Sequence, residues 1–271
     1  MLLLLASLAL GTNSARFPAT AQKTKSAPLK ATTTETAQST KNTVLWDAWY
    51  TVKVGGGAAK PSHYAYYNDH VELQPGNRVF YQNRFWKREE GYVNEESLGA
   101  LAINDDEVSP LFFNFQSNYR LSSLKIDGAA TGGELTVRAH QGATDLPPVR
   151  RALQKKVIFS VFFPVWLSKR YPEMKVGQTV GFNTVLEDGL DQQWGTVSGF
   201  FRMENPDEFA KKTQSRKVFV HYRDQDSSWY ILPSGVPVKI EMPKLGTLIE
   251  KVDSKDAAER FFKADVPSDG G

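Results

Sequence analysis

From Val44 onward, hydrophobic and polar positions alternate with a period of two. Val44, Trp46, Ala48, Tyr50, Val52 and Val54 share one side of the pattern, with Asp47, Thr51 and Lys53 opposite. The alternation recurs at 135–139, at 180–186 (Thr179, Asn183 and Glu187 on the polar side), at 218–222 and at 236–242. Successive side chains of a strand point to opposite faces, so this pattern predicts antiparallel strands with one buried and one solvated face. Looser β-like segments run near 62–73, 78–88, 92–103, 111–126, 194–204 and 245–251. Turn signals separate them, among them Gly55-Gly56-Gly57, Pro75-Gly76-Asn77, Asp127-Gly128, Gly132-Gly133, Glu187-Asp188-Gly189 and Pro233-Ser234-Gly235. Connections this short give a meander of hairpins, not βαβ units.

One block breaks the rhythm. In 157–167 (VIFSVFFPVWL), Phe159, Phe162, Phe163, Trp166 and Leu167 fall at helical spacing, which predicts a helix near 158–170. It is either capped by Ser160, with Pro164 in its first turns, or starts at Pro164. Eleven residues of helix span roughly 16 Å, about half a bilayer core, so the block is too short to cross a membrane. Burying five such side chains is worth on the order of 8–15 kcal/mol at most, and the only apolar surface large enough to meet them is a sheet. Pro164 also weakens the helix where a hinged cover would have to give. A second helix is expected over 254–263, where Ala257, Ala258, Phe261 and Phe262 share a side after an Asp253/Ser254 cap. The expected fold is mainly β: an antiparallel meander forming an incomplete, half-open barrel with one or two helices packed on its concave side.

The first 21 residues read as a signal peptide. Leu2 to Leu10 supply a short apolar run and Ala19-Thr20-Ala21 a cleavage site, with Ala15 a second candidate, although no Lys or Arg precedes the run. Residues 22–43 are polar and almost free of large apolar groups, so they read as a disordered linker. A single β-rich domain is expected over 44–263 and a disordered tail over 264–271. The chain has no cysteine, hence no lipidation thiol and no disulfide, which points to an exported protein of the periplasm or extracellular space, a bacterial envelope by preference. A net charge of +3 without a clustered basic face argues against nucleic acid. The run Arg150, Arg151, Lys155 and Lys156 reads as solvated.

Catalytic signatures are missing. No metalloprotease H-E-x-x-H, G-x-S-x-G elbow, Walker loop or dinucleotide fingerprint occurs. His63, His70, His140 and His221 do not form a metal-ligand pattern, so no metal and no cofactor are expected. The acids of Glu89-Glu90, Glu95-Glu96, Asp105-Asp106-Glu107 and Glu187-Asp188 are chain neighbours, which on a strand point apart and make poor acid–base pairs. The expectation is a protein that is not an enzyme. What remains is aromatic content. Tyr66/Tyr67, Phe85/Trp86, the 111–113 run and Phe200/Phe201 put apolar groups on both faces of their strands. One face can meet the helix; the other needs a second layer, a partner or a ligand. The candidate ligand contacts are Trp46, Tyr66, Trp86, Phe113, Phe159, Phe162, Phe163 and Trp166.

The Trp46-Asp-Ala-Trp-Tyr50 opening strand, the long meander, the Leu-Phe-Phe-Asn-Phe segment at 111–115 and the apolar helix after it resemble the LolA/LolB-like lipoprotein-carrier superfamily across roughly residues 46–262. The resemblance is architectural, and no ligand-contacting residue is carried over from it. It implies an incomplete barrel with a helical lid, and an exported binding protein that holds an acyl chain or other apolar ligand, a lipid included, between sheet and helix. A structural or adhesive envelope module that binds a protein or polysaccharide partner is the alternative.

Overall fold

The computed structural model describes residues 41–55, 62–89, 92–119, 122–188 and 194–264. The segment expected to be a signal peptide, all but the end of the expected linker and residues 265–271 of the expected 264–271 tail lie outside the described residues, as do Gly56, Gly57 and Gly189 of the expected turns.

The N-terminal half contributes β1 (Thr43–Val54), β2 (Ser62–Gln74), β3 (Arg78–Glu89), β4 (Tyr92–Ile103), β5 (Pro110–Tyr119), β6 (Ser122–Thr131), β7 (Glu134–Gln141), β8 (Thr144–Asp145) and β9 (Val149–Ala152). The C-terminal half contributes β10 (Val157–Phe159), β11 (Thr179–Val185), β12 (Thr196–Met203), β13 (Arg216–Tyr222), β14 (Gln225–Ile231), β15 (Pro237–Met242) and β16 (Thr247–Val252). Helices α1 (Phe163–Ser168), α2 (Glu208–Thr213) and α3 (Lys255–Ala264) interrupt or follow the second half. The sixteen strands of the described residues form one sheet, in the order β10 to β16, then β1 to β8, with β9 also on β7. Neighbours are antiparallel throughout except β10 and β11, which run parallel. The two halves meet where β1 pairs with β16, Trp49 facing Val252. β10 and β8 stand at opposite ends of the order, so the sheet is not closed into a barrel.

Alternation decides which side is core. Ala48, Tyr50 and Val52 are buried, as are Leu135, Val137 and Ala139 of β7 and Val218, Val220 and Tyr222 of β13. The aromatic segment is the object they bury. Phe163 meets Phe182 of β11, Phe201 of β12 and Trp229 of β14 with ring centroids 4.6, 6.2 and 5.3 Å away. Phe162 reaches Tyr81 of β3 at 6.2 Å, and Phe159 reaches Phe113 of β5 at 5.2 Å. β11 and β5 are ten places apart in the sheet order. A flat sheet would separate them by roughly 48 Å at about 4.8 Å per strand. One short segment touches both only because the sheet curls around it.

The helix expected over 158–170 is shorter and starts later. Residues 157–159 are strand, pairing in parallel with Asn183–Val185; a 3-10 turn covers Ser160–Phe162, and α1 begins at Phe163. Every residue from Val157 to Leu167 is buried, so the block has no solvated face. A short apolar run of this kind carries no periodicity that separates strand from helix. Pro164 sits in the first turn of α1, where its missing N–H costs nothing, and so does not act as a hinge within a helix. Among the described helices only α1 lies on the concave side. α3 packs on the outer face against β1 and β2, with Ala258 and Phe262 over Tyr66, Trp49 and Trp86. The Arg88 guanidinium lies 4.4 Å from the centre of the Phe262 ring and donates to the Phe262 carbonyl at 2.6 Å.

Gly128 is needed where it stands. It faces Phe113 across β5 and β6, and a Cβ there would run into the Phe113 ring. The missing side chain lets Phe113 lie down against its strand neighbour and still reach Phe159. Gly128→Val is therefore expected to destabilise the protein by about 1–3 kcal/mol, read from urea unfolding. Unchanged stability would mean that Phe113 has room to move.

Candidate functional site

The sheet divides the eight candidate contacts into two groups. Trp46 and Phe113 face the interior, where Phe159, Phe162, Phe163 and Trp166 fill the concavity. Tyr66 and Trp86 are on the outer face, stacked on one another at 4.8 Å. Trp49 stacks on Trp86 at 6.1 Å, and Phe262 of α3 meets Tyr66 edge-on at 5.1 Å. The cause is register. Tyr66 pairs with Trp86 and Tyr67 with Phe85, so each adjacent aromatic couple is split between the two faces. The second layer required by the outer couple is α3.

The interior also holds polar groups that residue-type reasoning did not single out. Tyr50 of β1 stacks on Tyr67 of β2, 4.7 Å apart and 13° from parallel. Two residues along β2, on the same face, lies Asp69, which is 2% exposed. Its Oδ1 accepts from the Tyr81 hydroxyl at 2.5 Å and from Asn83 Nδ2 at 2.7 Å. Burial raises the Asp69 carboxyl above the usual carboxylate range, and hydrogen bonds from these two donors are among the influences that draw it part of the way back. Tyr50, Tyr67 and Tyr81 are all pushed up, first by burial and next by the charge of Asp69. The signal for Asp69 was present in the pattern: period two puts it on the apolar side with Tyr67 and Val71.

Glu187 is a second interior acid, and it corrects the solvated position that alternation gave it. It is fully buried. Its Oε2 accepts from the Ser160 hydroxyl at 2.6 Å and its Oε1 from the Val161 N–H at 3.2 Å. The parallel register explains this: Phe159 lies beside Val185, so two residues further on Glu187 comes level with Val161. β11 has ended by then, and the alternation no longer governs which way the side chain points. The carboxyl thus ties down the backbone where the aromatic segment leaves β10. Burial pushes it up to about 7 against the pull of those two donors. Glu187 also raises Tyr81, behind the larger influences of burial and Asp69, which places both acids around one tyrosine.

Among the described residues no Lys, Arg or His forms an ion pair with Asp69 or Glu187. The hydroxyls of Tyr50 and Tyr67 and the indole nitrogens of Trp46 and Trp166 are buried without a hydrogen-bond partner. Each such orphan costs about 1–3 kcal/mol, so four of them facing one interior require an explanation. Several polar groups on the surface are matched. His140 lies 2.6 Å from Asp145 and His221 2.7 Å from Asp226, while Glu107 binds Arg170 at 2.7 Å. Among the described residues no three His, Asp or Glu side chains gather as a metal site would require. No described helix is long and apolar enough to cross a membrane.

These features define a half-open, β-barrel-like protein curled around its own aromatic segment. No protein-family model and no curated protein matches the chain. Among solved structures it is similar to the β-barrel-like protein of a domain of unknown function, DUF1849, from Brucella abortus. The TM-score is 0.50 at 9% identity, over 76% of this chain and 93% of that one. That likeness concerns the fold. A DUF1089 family protein from Pseudomonas aeruginosa is more distant, with a TM-score of 0.39 at 14% identity over 70% and 95% of the two chains.

Proposed function

We propose that this chain is an exported, non-enzymatic binding protein that holds an acyl chain or other apolar molecule in the concavity of the sheet, alongside the aromatic segment. The observation that carries the reading is the set of buried, unpartnered polar atoms in the interior: the Trp46 indole nitrogen and the Tyr50 and Tyr67 hydroxyls on the sheet and the Trp166 indole nitrogen on α1. An interior built only as core would have apolar groups at these positions. The wall around them is aromatic and the sheet is unclosed, as in a container that opens and refills. The architectural resemblance to lipoprotein carriers and the signal-like N-terminus support the same role and favour a bacterial envelope as its location. Mass spectrometry of organic extracts from natively purified protein is expected to release an amphiphile in near-stoichiometric amount. A clean extract, together with failure to take up any short-chain amphiphile, would remove the proposal.

A second reading has its own observation. On the outer face Phe200 stacks on His221 at 5.1 Å and lies 6.0 Å from Phe219, with the Arg202 guanidinium 5.0 Å from the Phe219 ring. All three rings are partly exposed, a surface suited to an envelope protein or polysaccharide partner.

A further inference from the structure

We propose that the molecule held in the interior carries a primary ammonium, with its nitrogen seated between the Asp69 carboxylate and the hydroxyls of Tyr50 and Tyr67. The inference rests on the binding reading above and adds the chemistry of the head.

The argument begins with what the interior lacks. Asp69 is buried and has no cationic partner among the described residues, and its two donors, Tyr81 and Asn83, both go to Oδ1. Neither of them occupies Oδ2. A carboxylate taken out of water is tolerated only when a positive charge and hydrogen bonds replace its hydration; otherwise it takes up a proton. Asp69 tends toward that second course, its carboxyl being raised by burial. A cation delivered by a ligand would reverse the tendency.

The neighbouring tyrosines narrow the kind of cation. Their two hydroxyls are buried, unpartnered and both sense the charge of Asp69. A primary ammonium has three N–H donors and no acceptor. One carboxylate oxygen and two phenolic oxygens give it three acceptors. A quaternary ammonium has no N–H to offer them, and a carboxylate head has none either and could sit beside Asp69 only if one of the two acids kept its proton. The stacked Tyr50 and Tyr67 rings and the nearby Phe85 suit the first carbons of an apolar tail. The same head occurs on an ethanolamine-type lipid and on a free alkylamine.

Calorimetric titration of natively folded, delipidated protein with decylamine, decanol and decanoate tests the inference. Decylamine is expected to bind at least about tenfold more tightly than the other two, the ratio of one charged hydrogen bond. Asp69→Asn should abolish that preference and leave decanol binding unchanged. Tyr67→Phe keeps the ring stack, and should weaken decylamine binding by about threefold while sparing decanol. It keeps the test open if the Asp69 variant fails to fold. Lysophosphatidylethanolamine set against lysophosphatidylglycerol separates the sources: a preference for the former assigns a lipid head, and none beside tight decylamine binding assigns a free amine. Equal binding of the three decyl compounds, or a preference that survives both substitutions, overturns the ammonium head and leaves the apolar reading standing. If none of the three binds, both fall together.

Discussion

Phe163→Ala is expected to destabilise the protein by about 3–5 kcal/mol, a large share of what a single domain has to lose. Phe163 is fully buried at the start of α1, and its ring is surrounded by Phe182, Phe201, Trp229 and Trp166. Those four belong to three strands and to α1 itself, none of which can move inward without breaking its own pairing. The cavity would therefore remain open, the condition under which large-to-small substitutions cost most. A segment that merely covered a binding site would behave differently, because space would already lie beside it. Guanidinium unfolding of the variant decides the matter. A loss below about 1 kcal/mol would mean that the segment is a loosely seated cover, not the centre of the core.

The second large effect is one of pH. With its carboxyl pushed up to about 7, Glu187 holds a proton in the folded protein that the unfolded chain, titrating near 4.5, has already released. Between those two values the native state binds more protons, so stability falls as the pH rises through the interval and levels off above it. Integrated over the shift, the loss is about 3 kcal/mol between pH 4.5 and 8. Glu187→Gln keeps the shape, and its amide can accept from the Val161 N–H and donate to Ser160. The variant should match the wild type near pH 4.5 and exceed it by up to that amount at pH 8. Chemical denaturation at the two pH values measures the difference. Because Asp69 titrates in both proteins, only the difference between them reports on Glu187, and parallel pH profiles would show that Glu187 is not the source.

The period-two segments are strands because their physics is local: each of β1, β7 and β13 buries one face, and the alternation records it directly. The 157–167 block was legible as buried but not as strand, turn and helix in succession. A run that is apolar on every side has no phase. Glu187 was misplaced for a related reason, since alternation predicts a face only while the strand lasts and β11 stops two residues short of it. Tyr66 and Trp86 needed one more step. Their neighbours Tyr67 and Phe85 are aromatic too, and only the register shows which member of each couple meets the interior. Asp69 stood on the apolar side in plain view, yet an acid at a core position means something only once its partners are known. Tyr81, Asn83 and Tyr50 come from other strands, and nothing local announces them.

The joint between β1 and β16 has a consequence for how the chain reaches this state. Nearly every other pairing in the sheet links strands close in sequence, so each half can zip up from its own turns. β1 must instead find a partner about 200 residues downstream, Trp49 opposite Val252 and Val54 opposite Thr247. Closing a loop of that length costs entropy before any contact repays it. The protein is thus expected to fold as two locally assembled sheets whose meeting is the slow event. Until they meet, β1 and β16 each present an unpaired edge to the surroundings, and the newly made chain is then most exposed to pairing with the wrong neighbour.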